Sequence, residues 1–126
     1  MLLGFDIAGT KCAIVLGKKE NGALHITAKK VIPTGGPAYE MIDKLFSAAA
    51  ILLEENTSAI NTIEGIGISC GGPLSRRRGL ILSPPNLPGW DNIPMVELAE
   101  KRFGKKVMMQ NDANAGAMAE WKYGAG

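Results

Sequence analysis

The first residues whose types could support chemistry lie between two apolar runs near the start of the chain, in the stretch Asp6-Ile7-Ala8-Gly9-Thr10-Lys11. A glycine turn lets backbone N–H groups approach phosphate oxygens, Thr10 and Lys11 add a hydroxyl and a positive charge, and Asp6 can hold Mg²⁺ through water. The GxxxxGK[ST] spacing of a Walker A loop is absent. Taken alone, the stretch favours the alternative of an ordinary hairpin with a solvated acid and lysine.

The second candidate combines two stretches, Ser69-Cys70-Gly71-Gly72-Pro73 and the proline-rich run Pro84 to Trp90. Glycines at the end of a strand leave bare backbone facing the crevice in which α/β sheets bind ligands. Asn86 offers both a donor and an acceptor, as a polyhydroxylated ligand requires. A rigid connection in which Trp90 covers the core explains the same residues, and both interpretations stay open.

The third candidate is Gln110-Asn111-Asp112-Ala113-Asn114-Ala115, where the last predicted strand becomes a helix. A helix N-terminus stabilises the ionised form of Asp112, and its position directs the side chain into the same crevice. Asp and Asn are also the favoured N-cap residues, and the stretch alone favours that simpler role.

Apolar periodicity predicts the elements that must position these residues. Three strands in succession form an antiparallel meander, and the later strands and helices form βαβ units in a mixed α/β sheet. The predicted elements are strands Leu2–Ile7, Lys11–Gly17 and Ala23–Val31, a helix over about 38–56, strand Ile63–Cys70, a short strand Leu80–Leu82, a helix from Pro94 to Phe103, strand Lys106–Gln110 and a small-residue helix beginning at Asn111-Asp112.

The totals exclude several classes of protein. The 126 residues carry a net charge of +2, too small a bias for nucleic-acid binding, and Arg76-Arg77-Arg78 is typical of a solvated turn. Cys12 and Cys70 lie in apolar runs and are predicted to be free thiols of a cytoplasmic protein, and no zinc spacing is present. No stretch reaches the roughly 20 apolar residues of a membrane-spanning helix, so no membrane partner is expected.

Together the three stretches resemble the N-terminal half of ROK-family sugar kinases, within the actin-like ATPase superfamily. The matching pieces are FDIAGTK, GIGISCGGPLSRRRGLILSPPNLPGW and NDANAGAMAEWKYGAG. The resemblance implies a ribonuclease-H-like lobe that takes ATP, Mg²⁺ and a sugar. Residues 1–126 would be the N-terminal lobe of a two-lobe kinase, with the C-terminal lobe absent from this chain.

The resemblance also assigns roles to particular residues. On the nucleotide side, Asp6 would assist magnesium, while Gly9, Thr10 and Lys11 would face the β- and γ-phosphates of ATP. The family usually has glycine where this chain has Ala8, which would restrict a left-handed backbone there.

On the sugar side, Gly72, Asn86 and Asn111 would bind hydroxyls of the substrate. Asp112 would contact the attacking hydroxyl and act as the general base that accepts its proton.

The substrate would be a glucose-like hexose or an N-acetylhexosamine, and the isolated chain is expected to be inactive. A non-catalytic sugar-sensing regulator is the alternative, although no helix-turn-helix segment precedes Met1, which disfavours the repressor branch. Zinc is expected only if the missing half carries a cysteine-rich site. A bare lobe would expose apolar surface, so a homo-oligomer is expected.

Overall fold

The structure is a computed structural model, and it describes residues 1–21, 23–56, 62–70, 74–75, 78–82 and 87–110. The described elements form a five-stranded mixed sheet in the order β3-β2-β1-β4-β7, a two-stranded sheet of β5 and β6, and two helices. In chain order they are β1 Leu2–Ile7, β2 Lys11–Glu20, β3 Ala23–Pro33, α1 Ala38–Glu55, β4 Gly65–Cys70, β5 Leu74–Ser75, β6 Leu80–Ile81, α2 Met95–Phe103 and β7 Val107–Gln110.

The antiparallel meander predicted for the first three strands is confirmed. β1 pairs with β2 from Leu2↔Gly17 to Ile7↔Cys12, and β2 pairs with β3 along its whole length. β2 runs to Glu20 rather than Gly17, because its polar residues next to the Asn21 turn pair with the start of β3. β3 runs to Pro33 rather than Val31, because its last two residues pair with the start of β2. Asn21 has a φ of 52°, the left-handed conformation that the Asn-Gly pair predicts.

β1, β4 and β7 form the parallel part of the sheet. Asp6 pairs with Ser69 between β1 and β4, and Ser69 pairs with Gln110 between β4 and β7. These three residues therefore form one row across the sheet, near the carboxyl end of each strand. This edge is where ligands of α/β sheets bind.

Both helices cover the same face of the sheet. The ring of Phe5 on β1 lies 5.5 Å from that of Phe46 on α1 and 6.0 Å from that of Phe103 on α2, between ring centroids. Phe46 and Phe103 meet edge to face at 5.2 Å. We call this the helix face. Because strand side chains alternate, Asp6 lies on the opposite face, which we call the site face.

The ends of α2 follow the predicted chemistry. Pro94 precedes its first turn, and Gly104 ends it with a φ of 66° and an N–H that donates to the Glu100 carbonyl at 2.8 Å. Trp90 is buried, which agrees with the alternative of a rigid connection that covers the core. Neither helix in the described ranges has the length and hydropathy that a membrane-spanning segment needs.

The thiols of Cys12 and Cys70 are both buried and unbridged, which confirms the prediction that they are free thiols. Both residues lie opposite Ile7, on β2 and β4 respectively, so β1 separates them. The Cα atoms of Cys12 and Cys70 are thus two strand spacings apart, about 10 Å, which is farther than a disulfide can span.

Candidate active site

The stretch from Asp6 to Lys11 forms the connection between β1 and β2. Asp6 is half-buried, whereas Thr10 and Lys11 are exposed. By the alternation of strand side chains, Lys11 lies on the site face with Asp6, since Asp6 pairs with Ala13 and Lys11 is two residues before Ala13. The structure therefore places the acid and the lysine that the sequence analysis selected on one face of the hairpin, with the exposed Thr10 in the turn between them.

The charge state of Asp6 depends on two opposing effects. Burial raises the pKa of its carboxyl above the ordinary value, and the positive charge of Lys29 partly offsets that rise. Lys29 pairs with Val15, which places it on the site face as well. Sequence analysis did not select Lys29, because only the pairing of β2 with β3 brings it to the face that carries Asp6.

Thr34, the residue that follows β3, contacts the turn from two sides. Its hydroxyl donates to the Ala8 carbonyl at 2.8 Å, and its backbone N–H donates to the Thr10 carbonyl at 3.0 Å. The Cys12 sulfur lies 3.1 Å from the same hydroxyl oxygen. The turn is thus held against the end of β3, and sequence analysis missed this residue because it lies far from the turn along the chain.

Ala8 stands where the family usually has glycine, but its φ is not positive, so alanine adopts this backbone without strain. Positive φ angles among the described residues occur elsewhere, at Asn21, Asn92, Gly36, Gly79, Gly89 and Gly104. In this structure the turn therefore does not need a left-handed residue at position 8, and the alanine is accommodated.

Ser69 is a third residue that the sequence analysis did not select for its side chain. It is 1% exposed, and its hydroxyl has no hydrogen-bond partner within the described part of the chain. Leaving a buried hydroxyl unsatisfied costs about 1–3 kcal/mol. The signal for it was present: Ser69 is the one polar side chain in the strand GIGISC.

Several predicted site residues lie outside the described residues, namely Gly72, Asn86, Asn111 and Asp112. The structure describes the residue that precedes two of them in the chain. Gln110 ends β7 in the row that contains Asp6, and Asn111 and Asp112 follow it directly. Two strand spacings place the backbone of Gln110 about 10 Å from that of Asp6.

A cleft of about 520 Å³ lies beside β7, away from the first hairpin. Its walls are the Arg78-Gly79 turn, the start of α2 and the strand residues Val107 to Met109. Within the described part of the chain, no residue from Asp6 to Lys11 lines it.

Magnesium is compatible with the residues near the turn. Mg²⁺ commonly uses one or two carboxylates and takes its other ligands from water and phosphate. Within the described ranges no three metal-binding side chains cluster, and Asp6 is the carboxylate of the β1–β2 connection that could take part in holding the ion. A cation beside Asp6 would also relieve the cost of burying its negative charge.

Comparison with known proteins gives related proteins over the whole chain. The model of the ROK family matches residues 2–126. The glucokinase of Thermotoga maritima is 30% identical over 125 residues, which are 99% of this chain and 38% of that protein. An N-acetylmannosamine kinase of Salmonella newport is 33% identical over 119 residues, 94% of this chain and 38% of that protein. A putative xylose repressor of Caldicellulosiruptor is 37% identical over 89 residues, 68% of this chain and 22% of that protein.

Solved structures give the same result for the fold. The ROK hexokinase of Thermus thermophilus superposes with a TM-score of 0.77 at 34% identity, covering 98% of this chain and 39% of that one. A ROK-family glucokinase of Streptomyces griseus, in complex with glucose and AMPPNP, superposes with a TM-score of 0.75 at 31% identity, covering 98% and 37%. The family model, the sequence relatives and the actin-like ATPase fold agree: this chain belongs to the ROK family.

Proposed function

We propose that residues 1–126 form the N-terminal lobe of an ATP-dependent sugar kinase. The chain spans 38% of the length of the glucokinase that it matches. The kinase activity is therefore proposed for a longer protein that contains this lobe. One observation carries the proposal. The row Asp6, Ser69 and Gln110 puts the β1–β2 turn and the residues that lead into Asn111-Asp112 at the same edge of the sheet.

The reaction that this arrangement supports is phosphoryl transfer to a sugar hydroxyl. The hydroxyl oxygen forms a bond to the γ-phosphorus of ATP, the bond from that phosphorus to the β–γ bridging oxygen breaks, and ADP leaves. The hydroxyl proton passes to the carboxylate of Asp112. Because the transition state is loose, positioning and charge neutralisation contribute most of the rate acceleration, and the base accepts its proton late.

The first hairpin supplies the nucleotide side of this site. Lys11 is exposed on the site face, where its ammonium group can neutralise phosphate charge, and the Thr10 hydroxyl can donate to a phosphate oxygen. Gly9 leaves the backbone of the turn open to close approach by a phosphate. Mg²⁺, held with the help of Asp6, would neutralise charge on the β- and γ-phosphates.

The sugar side depends on Gly72, Asn86, Asn111 and Asp112. The related glucokinase and N-acetylmannosamine kinase support a glucose-like hexose or an N-acetylhexosamine as the substrate. A screen of the full-length protein with ATP and sugars of both classes, with sugar phosphate as the measured product, identifies the substrate. The 126-residue chain alone should give no sugar phosphate, because ATP would lie between two lobes.

The assignment of the general base is tested by Asp112→Asn in the full-length protein. The amide cannot accept the hydroxyl proton, so turnover should fall at least about 100-fold while sugar affinity stays within about threefold. Asp43→Asn is the matched control, because Asp43 is an exposed carboxylate on α1 whose partner is Arg102. Near-normal turnover in Asp112→Asn would contradict the proposal.

A non-catalytic sugar-sensing regulator is the second candidate, and the related xylose repressor favours it. Such a protein would bind a sugar without consuming ATP. The two candidates differ in one measurement, the release of ADP from ATP in the presence of each sugar. Sugar binding with no ADP release across both sugar classes would support the regulator.

Self-association also stays a proposal. Four large hydrophobic residues are exposed in the described ranges, namely Ile26, Val31, Tyr39 and Ile51. Two of them lie on β3, the edge strand of the sheet. A homo-oligomer that covers this edge would remove Ile26 and Val31 from water.

A further inference from the structure

We propose that Thr34 is a positioning residue for the phosphate-binding turn, holding the backbone of Ala8 to Thr10 so that its N–H groups face the nucleotide. The inference rests on the proposed function, because it assumes that this turn meets the phosphates of ATP. It assigns to Thr34 no contact with the substrate.

The direction of the turn's carbonyl groups carries the inference. The Ala8 carbonyl accepts from the Thr34 hydroxyl at 2.8 Å, and the Thr10 carbonyl accepts from the Thr34 N–H at 3.0 Å. In a trans peptide, the carbonyl of one residue and the N–H of the next point in opposite directions. The N–H groups of Gly9 and Lys11 are therefore directed away from Thr34.

That arrangement suits an anion. Carbonyl oxygens carry partial negative charge and would repel phosphate, whereas N–H groups that point outward form the concave anion sites known as nests. Thr34 binds two carbonyls of the turn and so keeps them off the side where phosphate would bind. A turn without this restraint would spend part of its time with one carbonyl rotated outward.

Thr34 is itself held on both sides. The Cys12 sulfur lies 3.1 Å from its hydroxyl oxygen, and the thiol can donate there because the hydroxyl donates to Ala8. The next residue, Gly35, directs its N–H to the sulfur of Met41 at 3.4 Å. Met41 is 1% exposed in α1, so the contact ties the turn to the hydrophobic core.

The test compares variants of the full-length protein. Thr34→Val keeps the shape of the side chain and removes its hydroxyl, while Thr34→Ser keeps the hydroxyl. The matched control is Thr27→Val, because the Thr27 hydroxyl on β3 also donates to a backbone carbonyl, that of Leu16 at 3.3 Å, in the middle of the β2–β3 pairing and away from the turn.

We expect Thr34→Val to raise the KM for MgATP about 3- to 10-fold, the effect of one neutral hydrogen bond, with the KM for sugar unchanged. Thr34→Ser should keep the KM for MgATP within about twofold of the wild-type value, and so should Thr27→Val. A role in folding alone would lower the yield of active protein and leave both KM values unchanged. If Thr34→Val does not fold, Thr34→Ala carries the same expectation.

The outcomes separate this inference from the function on which it rests. If Thr34→Val leaves the KM for MgATP unchanged while Lys11→Ala impairs the use of ATP, the positioning role is wrong and the kinase proposal stands. If Lys11→Ala also has no effect, the turn does not bind phosphate and the nucleotide assignment fails. An equal rise in KM for Thr27→Val and Thr34→Val would overturn the positioning role.

Discussion

Gly79 lies in the turn before β6, and its replacement by alanine tests the packing of that turn against α2. Gly79 has a φ of +71°, and a Cβ at this position would lie 2.8 Å from the Cβ of Val96. The turn and the start of α2 cannot easily move apart, because the Val96 N–H donates to the Gly79 carbonyl at 3.3 Å. The substitution therefore combines a strained φ with a steric clash.

Gly104→Ala isolates the first of these two effects. Gly104 has a φ of +66° at the other end of α2, and a Cβ there would have no atom within 4 Å. A left-handed alanine costs about 1–2 kcal/mol, and the stiffer unfolded chain returns about 0.4–1 kcal/mol, so the net cost is about 1 kcal/mol. The clash adds about 1–3 kcal/mol, and Gly79→Ala should cost about 2–4 kcal/mol in total.

Urea unfolding of each variant, followed by tryptophan fluorescence, measures these free energies of unfolding. A double-mutant cycle with Val96→Gly removes the opposing Cβ, and in that background Gly79→Ala should cost only about 1 kcal/mol. Val96→Ala should not relieve the clash, because its Cβ remains. The reasoning is refuted if Gly79→Ala costs no more than Gly104→Ala, or if Val96→Gly leaves its cost unchanged.

Three further predictions concern two side chains, Cys70 and Lys11. Burial raises the pKa of the Cys70 thiol to about 12, with the charges of Cys12 and Asp6 adding to the rise. Iodoacetamide at pH 8 should therefore leave Cys70 intact in the folded protein and modify it in urea, and fast alkylation of the folded protein would contradict this. Because the pKa is raised on folding, the contribution of Cys70 to stability should fall between about pH 9 and 12. Lys11→Ala in the full-length protein should lower kcat/KM for MgATP about 10- to 100-fold through loss of one charge-assisted bond. Lys30→Ala, on the opposite face of the same hairpin, should change it less than about twofold, and equal effects of the two substitutions would remove Lys11 from the site.

The sequence was a good guide to features that depend on neighbouring residues. The meander, both described helices and the Asn21 turn follow from apolar periodicity and from residues that tolerate special backbone angles. Strand ends were less accurate: β4 begins at Gly65 rather than Ile63, because a strand ends where its partner stops pairing. The predicted helix after Gln110 lies outside the described residues.

The candidate site shows the same division. Its acid, glycine, hydroxyl and lysine are adjacent in sequence, so their types and spacing indicate anion chemistry before any fold is known. Lys29 and Ser69 join them through strand pairing, and Thr34 through its hydrogen bonds to the turn. Lys29 and Thr34 have no local signal that distinguishes them from other surface residues, whereas Ser69 has one, as the polar side chain of the strand GIGISC.

By itself, the sequence determined the elements, the turn that carries Asp6 to Lys11 and the family, because each depends on residue type and short spacing. Only the tertiary structure decided the strand order, the face on which each side chain lies and the hold of Thr34 on the turn. The physical reason is that a one-residue shift in strand register would move every side chain to the opposite face. That register is set by packing between β1, β4 and β7, which are far apart in the chain.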